Sequence, residues 1–270
     1  MKRKHSRPFQ FRTINQIIAI LFVTINLIAC KKSNSSSDQT NNVGTRLKKM
    51  TLQVTQGNPN QQGYIVPDLI EYFYDGNGKL IKIKMQINGN AGDSISDVFE
   101  RDNNGLIKKR THKETTQSPA SSTTEITNFQ TSTDGHYLTA ISSQSPNIEY
   151  HYVYTGNRIT SVQTYYNATL SSTKNISYDS RGNVLTGYRW SYTYDNGINP
   201  LSLGMDAIII DDDRYAGGNN AVAVSSSGII ITTVAYTYNI NQMPSNGVIN
   251  EYDERTGAFL YRQSCQFIYE

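Results

Sequence analysis

From Ile70 to Ile87 apolar and polar positions alternate with a period of two, and the alternation breaks once. Ile70, Tyr72 and Tyr74 fall on one side of an extended segment. Ile81, Ile83, Met85 and Ile87 fall on one side of the next, with Lys82, Lys84 and Gln86 opposite. Side chains change sides at every step of a strand, so each segment predicts a strand with one dry and one wet face. The break is Asp75-Gly76-Asn77-Gly78. Asp can accept bonds from backbone N–H groups ahead of it, and Gly takes the positive φ that a tight turn needs. The unit is a β-hairpin.

Looser copies follow. Tyr150–Val162 repeats the idea with a shorter turn, and Ile176–Leu185 stays close to the first copy. Phe99–Ile107 and Tyr252–Leu260 keep the turn and lose most of the tyrosines. Trp190–Asp195 and Val234–Asn239 keep the incoming strand and change the turn. One hairpin is marginal in water, so the copies must pair edge to edge. The Y-x-Y-D-x-x-G turn resembles the YD repeat of Rhs-type proteins. The stretch from about residue 47 to 270 resembles a Bacteroidota lipoprotein family of unknown function. In that family the hairpins are interrupted by an Asn-Pro segment and then by paired asparagines, positions that Asn199-Pro200 and Asn219-Asn220 fit. The resemblance implies a fold and a cell-envelope location, and no chemistry. Rhs proteins enclose a cavity with many more copies, so five or six predict an open surface.

The expected fold is all-β: an antiparallel meander of repeated hairpins in a twisted, curved sheet. A short helix or long loop is expected near 199–220, where the alternation stops. A first strand is expected over Leu47 to Val54, and a weaker hairpin turning at Asp134-Gly135. The organisation predicted is a signal peptide over 1–29, an acylated cysteine and tether over 30–46, and one β domain over 47–270.

The N-terminus carries that prediction. Lys2, Arg3, Lys4, Arg7 and Arg12 precede a mostly apolar run that ends in Leu27-Ile28-Ala29-Cys30. Basic, apolar, small-residue is the order of a secretory signal, and the run is short and polar for a membrane span. Cys30 after Leu-Ile-Ala resembles a lipobox, which implies cleavage before Cys30 and its acylation. Several acyl chains anchor stably where one is marginal. Lys31 to Thr45, rich in Ser, Asn and Thr, then reads as a tether of roughly 20 Å root-mean-square span.

Charge changes the picture once. The chain has net charge +3 and a pI near 8.7, but residues 1–29 hold five cations and no acid, so the remainder stands at −2. That removes the basic footprint of a nucleic-acid binder. Charged residues make up 17% and mean hydropathy is −0.51, so polarity comes from Ser, Thr, Asn, Gln and Tyr. With Cys30 acylated, Cys265 has no intramolecular partner, and its phase with Tyr261 and Phe267 predicts a buried strand residue.

Candidate chemistry is sparse. His112, His136 and His151 lack the i, i+4 pairing of a helical zinc site. Ser171-Ser172-Thr173-Lys174 matches S-x-x-K without the companion motifs of acyl-transfer enzymes. Asp211, Asp212 and Asp213 are weak metal candidates, with Asp206 or Asn219 in support, because adjacent side chains point apart. No cofactor is implied. The ligand-binding candidates are Tyr150, Tyr152, Tyr154, Tyr178, Trp190, Tyr192 and Tyr194. They form either the structural face under the 199–220 segment or a platform for sugar rings or a protein patch. The function expected is a non-enzymatic binding or scaffold module, anchored to the outer membrane and taking a glycan or an envelope protein. The alternatives are a polysaccharide hydrolase or lyase, which needs paired carboxylates in a cleft, and a lipid carrier.

Overall fold

The computed structural model describes residues 46–57, 67–87, 90–117, 120–201, 203–210 and 213–270. The expected signal peptide, Cys30, the tether up to Thr45, and Asp211 and Asp212 lie outside the described residues. The strands are β1 (Leu47–Gly57), β2 (Pro67–Tyr74), β3 (Leu80–Ile87), β4 (Asn90–Arg101), β5 (Ile107–Gln117), β6 (Ala120–Thr131), β7 (Tyr137–Ser142), β8 (Ser145–Thr155) and β9 (Arg158–Tyr166). They continue with β10 (Thr169–Asn175), β11 (Ser177–Tyr178), β12 (Val184–Thr186), β13 (Ser191–Ile198), β14 (Asn219–Ser226), β15 (Ile229–Tyr238), β16 (Pro244–Tyr252) and β17 (Phe259–Tyr269). Helix α1 (Met205–Ile209) and a 3-10 turn (Asp213–Tyr215) sit between β13 and β14. All-β hairpins with one short helical insertion is the architecture expected.

Closure is the correction. The sheet is not open: β1 pairs antiparallel with β2 on one edge and with β17 on the other, so the meander forms a nearly closed barrel. The seam is at Ile176, where β10 pairs back onto β9 and β11 pairs forward onto β12. Taken as one interrupted strand, β10 and β11 bring the seventeen segments to sixteen positions. A ring of antiparallel neighbours requires such an even number. The Tyr- and Asp-marked copies undercount the strands, because β1, β6, β7 and β14 carry no such signature and still complete the ring.

The turns explain the hairpins. Asp75 Oδ1 accepts the N–H groups of Asn77 (2.9 Å) and Lys79 (2.8 Å), and Gly78 takes φ 78°. Asp102 does the same for Asn104 and Leu106, and Asp179 for Arg181 and Asn183. Asn239 repeats the pattern with Asn241 and Met243, although the left-handed position there is Gln242.

Strand parity assigns the ends. The β2–β3, β4–β5, β6–β7, β8–β9, β11–β12 and β15–β16 turns all lie at one end of the ring, with the start of β1 and the end of β17. We call this the floor end, and the opposite end the mouth. The 199–218 segment enters from the floor. Asn199 Nδ2 donates to the Asn219 carbonyl (2.9 Å), and Asn183 Nδ2 donates to Asn219 Oδ1 (3.0 Å), which clasps the two feet of the insertion together.

Sidedness is uniform. Met50, Ile70, Ile83, Met85, Phe99, Tyr137, Ile159, Tyr192, Val224, Ile249 and Phe267 join Leu201, Ala207, Ile208, Ile209 and Tyr215 of the insertion in one buried cluster. Fully burying one such aliphatic side chain stabilises by roughly 1.5–3 kcal/mol. Outward, a cross-strand row runs Lys49, Glu71, Lys84, Ser96, Lys113. Cations on a lipid-facing wall cost roughly 2–4 kcal/mol each at the bilayer midplane, so this outer face suits water. Sixteen positions round a ring leave a wide interior, and here the insertion and inward side chains occupy it.

Candidate functional site

The repeated tyrosines point into the barrel. Tyr72, Tyr192 and Trp190 are buried, and Tyr74, Tyr150, Tyr152, Tyr154, Tyr178, Tyr194 and Tyr236 are partly buried against the core. Near the floor their hydroxyls serve the backbone. Tyr74 Oη donates to the Leu47 carbonyl (2.9 Å), Tyr178 Oη to Ile159 (2.6 Å) and Tyr236 Oη to Ala221 (3.2 Å). Tyr154 Oη accepts the Tyr137 N–H at 2.9 Å. A ring that is apolar in body and polar at its tip fits a buried wall whose strand ends need partners.

The floor also fixes α1. Arg101 Nη1 donates to Asp206 Oδ2 at 2.7 Å, and Tyr137 Oη donates to Asp206 Oδ1 at 2.6 Å. Arg101 further bonds the Leu80 and Gly105 carbonyls. Asp206 is therefore engaged with the wall, and Asn219 with the clasp. Among the described residues no cluster of three or more His, Cys, Asp or Glu is placed to hold a metal.

Above α1 the lumen holds a pocket of about 260 Å³. Its aromatic lining is Tyr150, Tyr152 and Tyr188, its charged lining Arg110, His112, Glu125 and Arg189, and Ile208 and Ile209 form its base. Of the seven tyrosine-face candidates, Tyr150 and Tyr152 line it directly. Trp190 stands behind Arg189, whose guanidinium lies 6.0 Å from both the Trp190 and the Tyr188 ring centres. Tyr154, Tyr178, Tyr192 and Tyr194 pack elsewhere along the core.

The charged side is built on cross-strand pairs. Asp97 faces His112 across β4 and β5, and His112 faces Glu125 across β5 and β6. Asp97 Oδ1 accepts from Arg110 Nε at 2.6 Å and lies 3.0 Å from His112 Nδ1. His112 Nε2 lies 3.5 Å from Glu114 Oε1. Burial alone would push the Asp97 carboxyl up, but Arg110 and His112 outweigh it and hold the group far below the usual carboxylate range. Burial would likewise lower His112, yet the bonds to Asp97 and Glu114 raise it to about 9. His112 is thus imidazolium at neutral pH. Ser142 Oγ donates to Glu125 Oε1 across the pocket wall.

In the sequence His112 stands out only for lacking a zinc partner, and Arg110, Asp97, Glu125, Tyr188 and Arg189 belong to no motif. A usable signal was present: in Ile95-Ser96-Asp97-Val98-Phe99 the alternation puts an acid on the dry side. His151 sits on the outer side, its Nε2 3.3 Å from Glu149 Oε2. Cys265 is buried in β17, and burial pushes its thiol up to about 12, so it is an unreactive wall residue. A broader trough of about 700 Å³ spans β15, β16, β17 and β1, lined by Thr51, Gln53, Thr237, Asn246, Ser264 and Gln266 among others. It carries neither charge nor aromatic ring.

No helix among the described residues is long and apolar enough to cross a membrane. No family model and no curated protein matches the chain. Among solved structures, a porin-like protein from Bacteroides uniformis is similar at TM-score 0.53 and 13% identity, over 84% of this chain and 99% of that one. The likeness is one of fold: a large antiparallel β-barrel.

Proposed function

We propose that the protein is a non-enzymatic binding module of the bacterial envelope, held to the outer membrane by an acylated Cys30 and taking its ligand in the lumen pocket. One observation carries this reading. The barrel gathers its large apolar cluster and two paired charge networks inside and sets lysines of β1, β3 and β5 on its outer wall, while a polar pocket remains at the end away from the start of β1. A barrel with lysines on the outer face of β1, β3 and β5 is costly to place in a bilayer, so attachment falls to the N-terminal lipid. A tether leaving the floor end would present the mouth to the surroundings. Among the described residues Glu125 is the single carboxylate lining the pocket, whereas Asp97 and Glu114 are committed to His112, which supports binding over hydrolysis.

The test is fractionation after metabolic labelling with a fatty acid. Label should travel with the wild-type protein in the membrane pellet, and Cys30→Ser should appear unlabelled in the soluble fraction. A Cys30→Ser protein that still needs detergent for extraction would mean the wall itself sits in lipid, and the reading would fall.

A further inference from the structure

Resting on that reading of the pocket, we propose that it receives the terminal ring of a neutral glycan, end-on. Three features of the cavity argue for this class. The first is size. About 260 Å³ lies below the roughly 300–1,000 Å³ common for drug-sized ligands and accommodates one six-membered ring with its substituents. The second is shape. Ile208 and Ile209 of the insertion close the base, and α1 cannot step aside while Asp206 is tied to Arg101 and Tyr137. A chain cannot thread through, so only its end can enter.

The third is chemistry. Tyr150 and Tyr188 meet edge to face at 6.2 Å, and with Tyr152 they offer aromatic surface for the C–H face of a sugar. Arg110 and Arg189 bring donors, Glu125 brings an acceptor, and His112, with both ring nitrogens turned to Asp97 and Glu114, brings its charge. A hydroxyl is both donor and acceptor, so a polyhydroxylated ring satisfies both kinds of group at once. The charges also balance. Arg110, His112 and Arg189 are matched by Glu125 on the wall and by Asp97 and Glu114 behind it. A phosphate or uronate would bring net negative charge to a site with no cation surplus, and would meet Glu125.

The chain contains one tryptophan, and Trp190 stacks on the pocket's Arg189, so its emission reports occupancy. The full-length protein, purified in detergent, would be titrated with the methyl glycosides of glucose, galactose, mannose and N-acetylglucosamine, and with galacturonate and inorganic phosphate. Calorimetry would run alongside. Saturable binding of at least one neutral glycoside is expected. It should weaken about tenfold in Glu125→Gln and in Tyr188→Ala, the size of one or two lost hydrogen bonds or ring contacts. It should be unchanged in His151→Ala on the outer wall. Preference for galacturonate or phosphate, still abolished by Tyr188→Ala, would overturn the neutral-sugar assignment and leave the pocket as the site. Binding indifferent to both pocket substitutions would overturn the pocket itself. Absence of saturable binding to any of the six compounds would also end the proposal.

Discussion

The two ends of the lumen use one wall for opposite purposes. At the floor, Asp206 meets Arg101 and Tyr137 between side chains that are almost wholly covered, and Arg101 also bonds two carbonyls. At the mouth, Asp97, Arg110 and His112 are held as firmly to one another, but Arg110 and His112 also face a cavity. Both are networks of ionised groups on inward strand positions. The floor network joins the insertion to the wall, whereas the mouth network joins only neighbouring strands. A buried charge network becomes structural when it links separate elements, and it is available to a ligand when it does not.

The sharpest way to break the contrast is Asp206→Ala. It strips Arg101, whose side chain is 9% exposed, of its carboxylate, and should cost about 3–5 kcal/mol in urea denaturation. If the loss is instead no larger than for an exposed pair, under about 1 kcal/mol, the insertion is not held by this tie. Tyr137→Phe removes a hydroxyl that donates to Asp206 and accepts the Ile107 N–H at 2.8 Å. About 1–3 kcal/mol should be lost, with little change in the pocket's affinity for the proposed ligand.

The mouth has its own signature in pH. His112 binds its proton more tightly folded than unfolded, so its stabilisation is complete below its unfolded value of 6.5 and disappears as pH rises through about 9. Burial raises Glu251, beside Thr232, to about 8, so its ionisation also takes stability away as pH climbs from 4.5 through about 8. Melting temperature should therefore fall from about pH 5 to pH 9. Glu251→Gln should flatten the lower part of that slope and His112→Gln the upper. A slope unaltered in His112→Gln would mean the imidazole is not charged in the folded protein at neutral pH. The smallest effect is expected at a floor turn. Asp75→Ala forfeits two bonds to backbone N–H groups and should cost about 1 kcal/mol by thermal melting, without touching binding.

What the chain disclosed in advance follows the same division. The hairpins were legible because their determinants are local: Asp75, Asp102 and Asp179 each act on N–H groups two and four residues ahead. The interruption at 199–220 was legible because alternation stops there. Closure was not, since it depends on β1 meeting β17 across more than two hundred residues, and nothing near Leu47 announces Tyr269 as its partner. The pocket was legible only in part. The phase of Tyr150 and Tyr152 is readable, but Arg189 reaches the same cavity from a turn between β12 and β13, and Ile208 from the insertion. Long-range convergence of that kind leaves no periodic trace.

The Arg46 and Glu270 backbones exchange hydrogen bonds, Glu270 N–H to the Arg46 carbonyl at 2.9 Å and the reverse at 3.4 Å. First and last strands are thus interchangeable as points of departure. A circular permutant that splices 270 to 46 through a few residues and opens between Ser227 and Gly228 would preserve every rung of the ladder. It would also move its new ends to the rim beside the cavity. If the proposed acylated leader were grafted onto such a molecule, the barrel would be tethered by its opposite end, with the cavity turned toward the anchor and no side chain of the pocket altered.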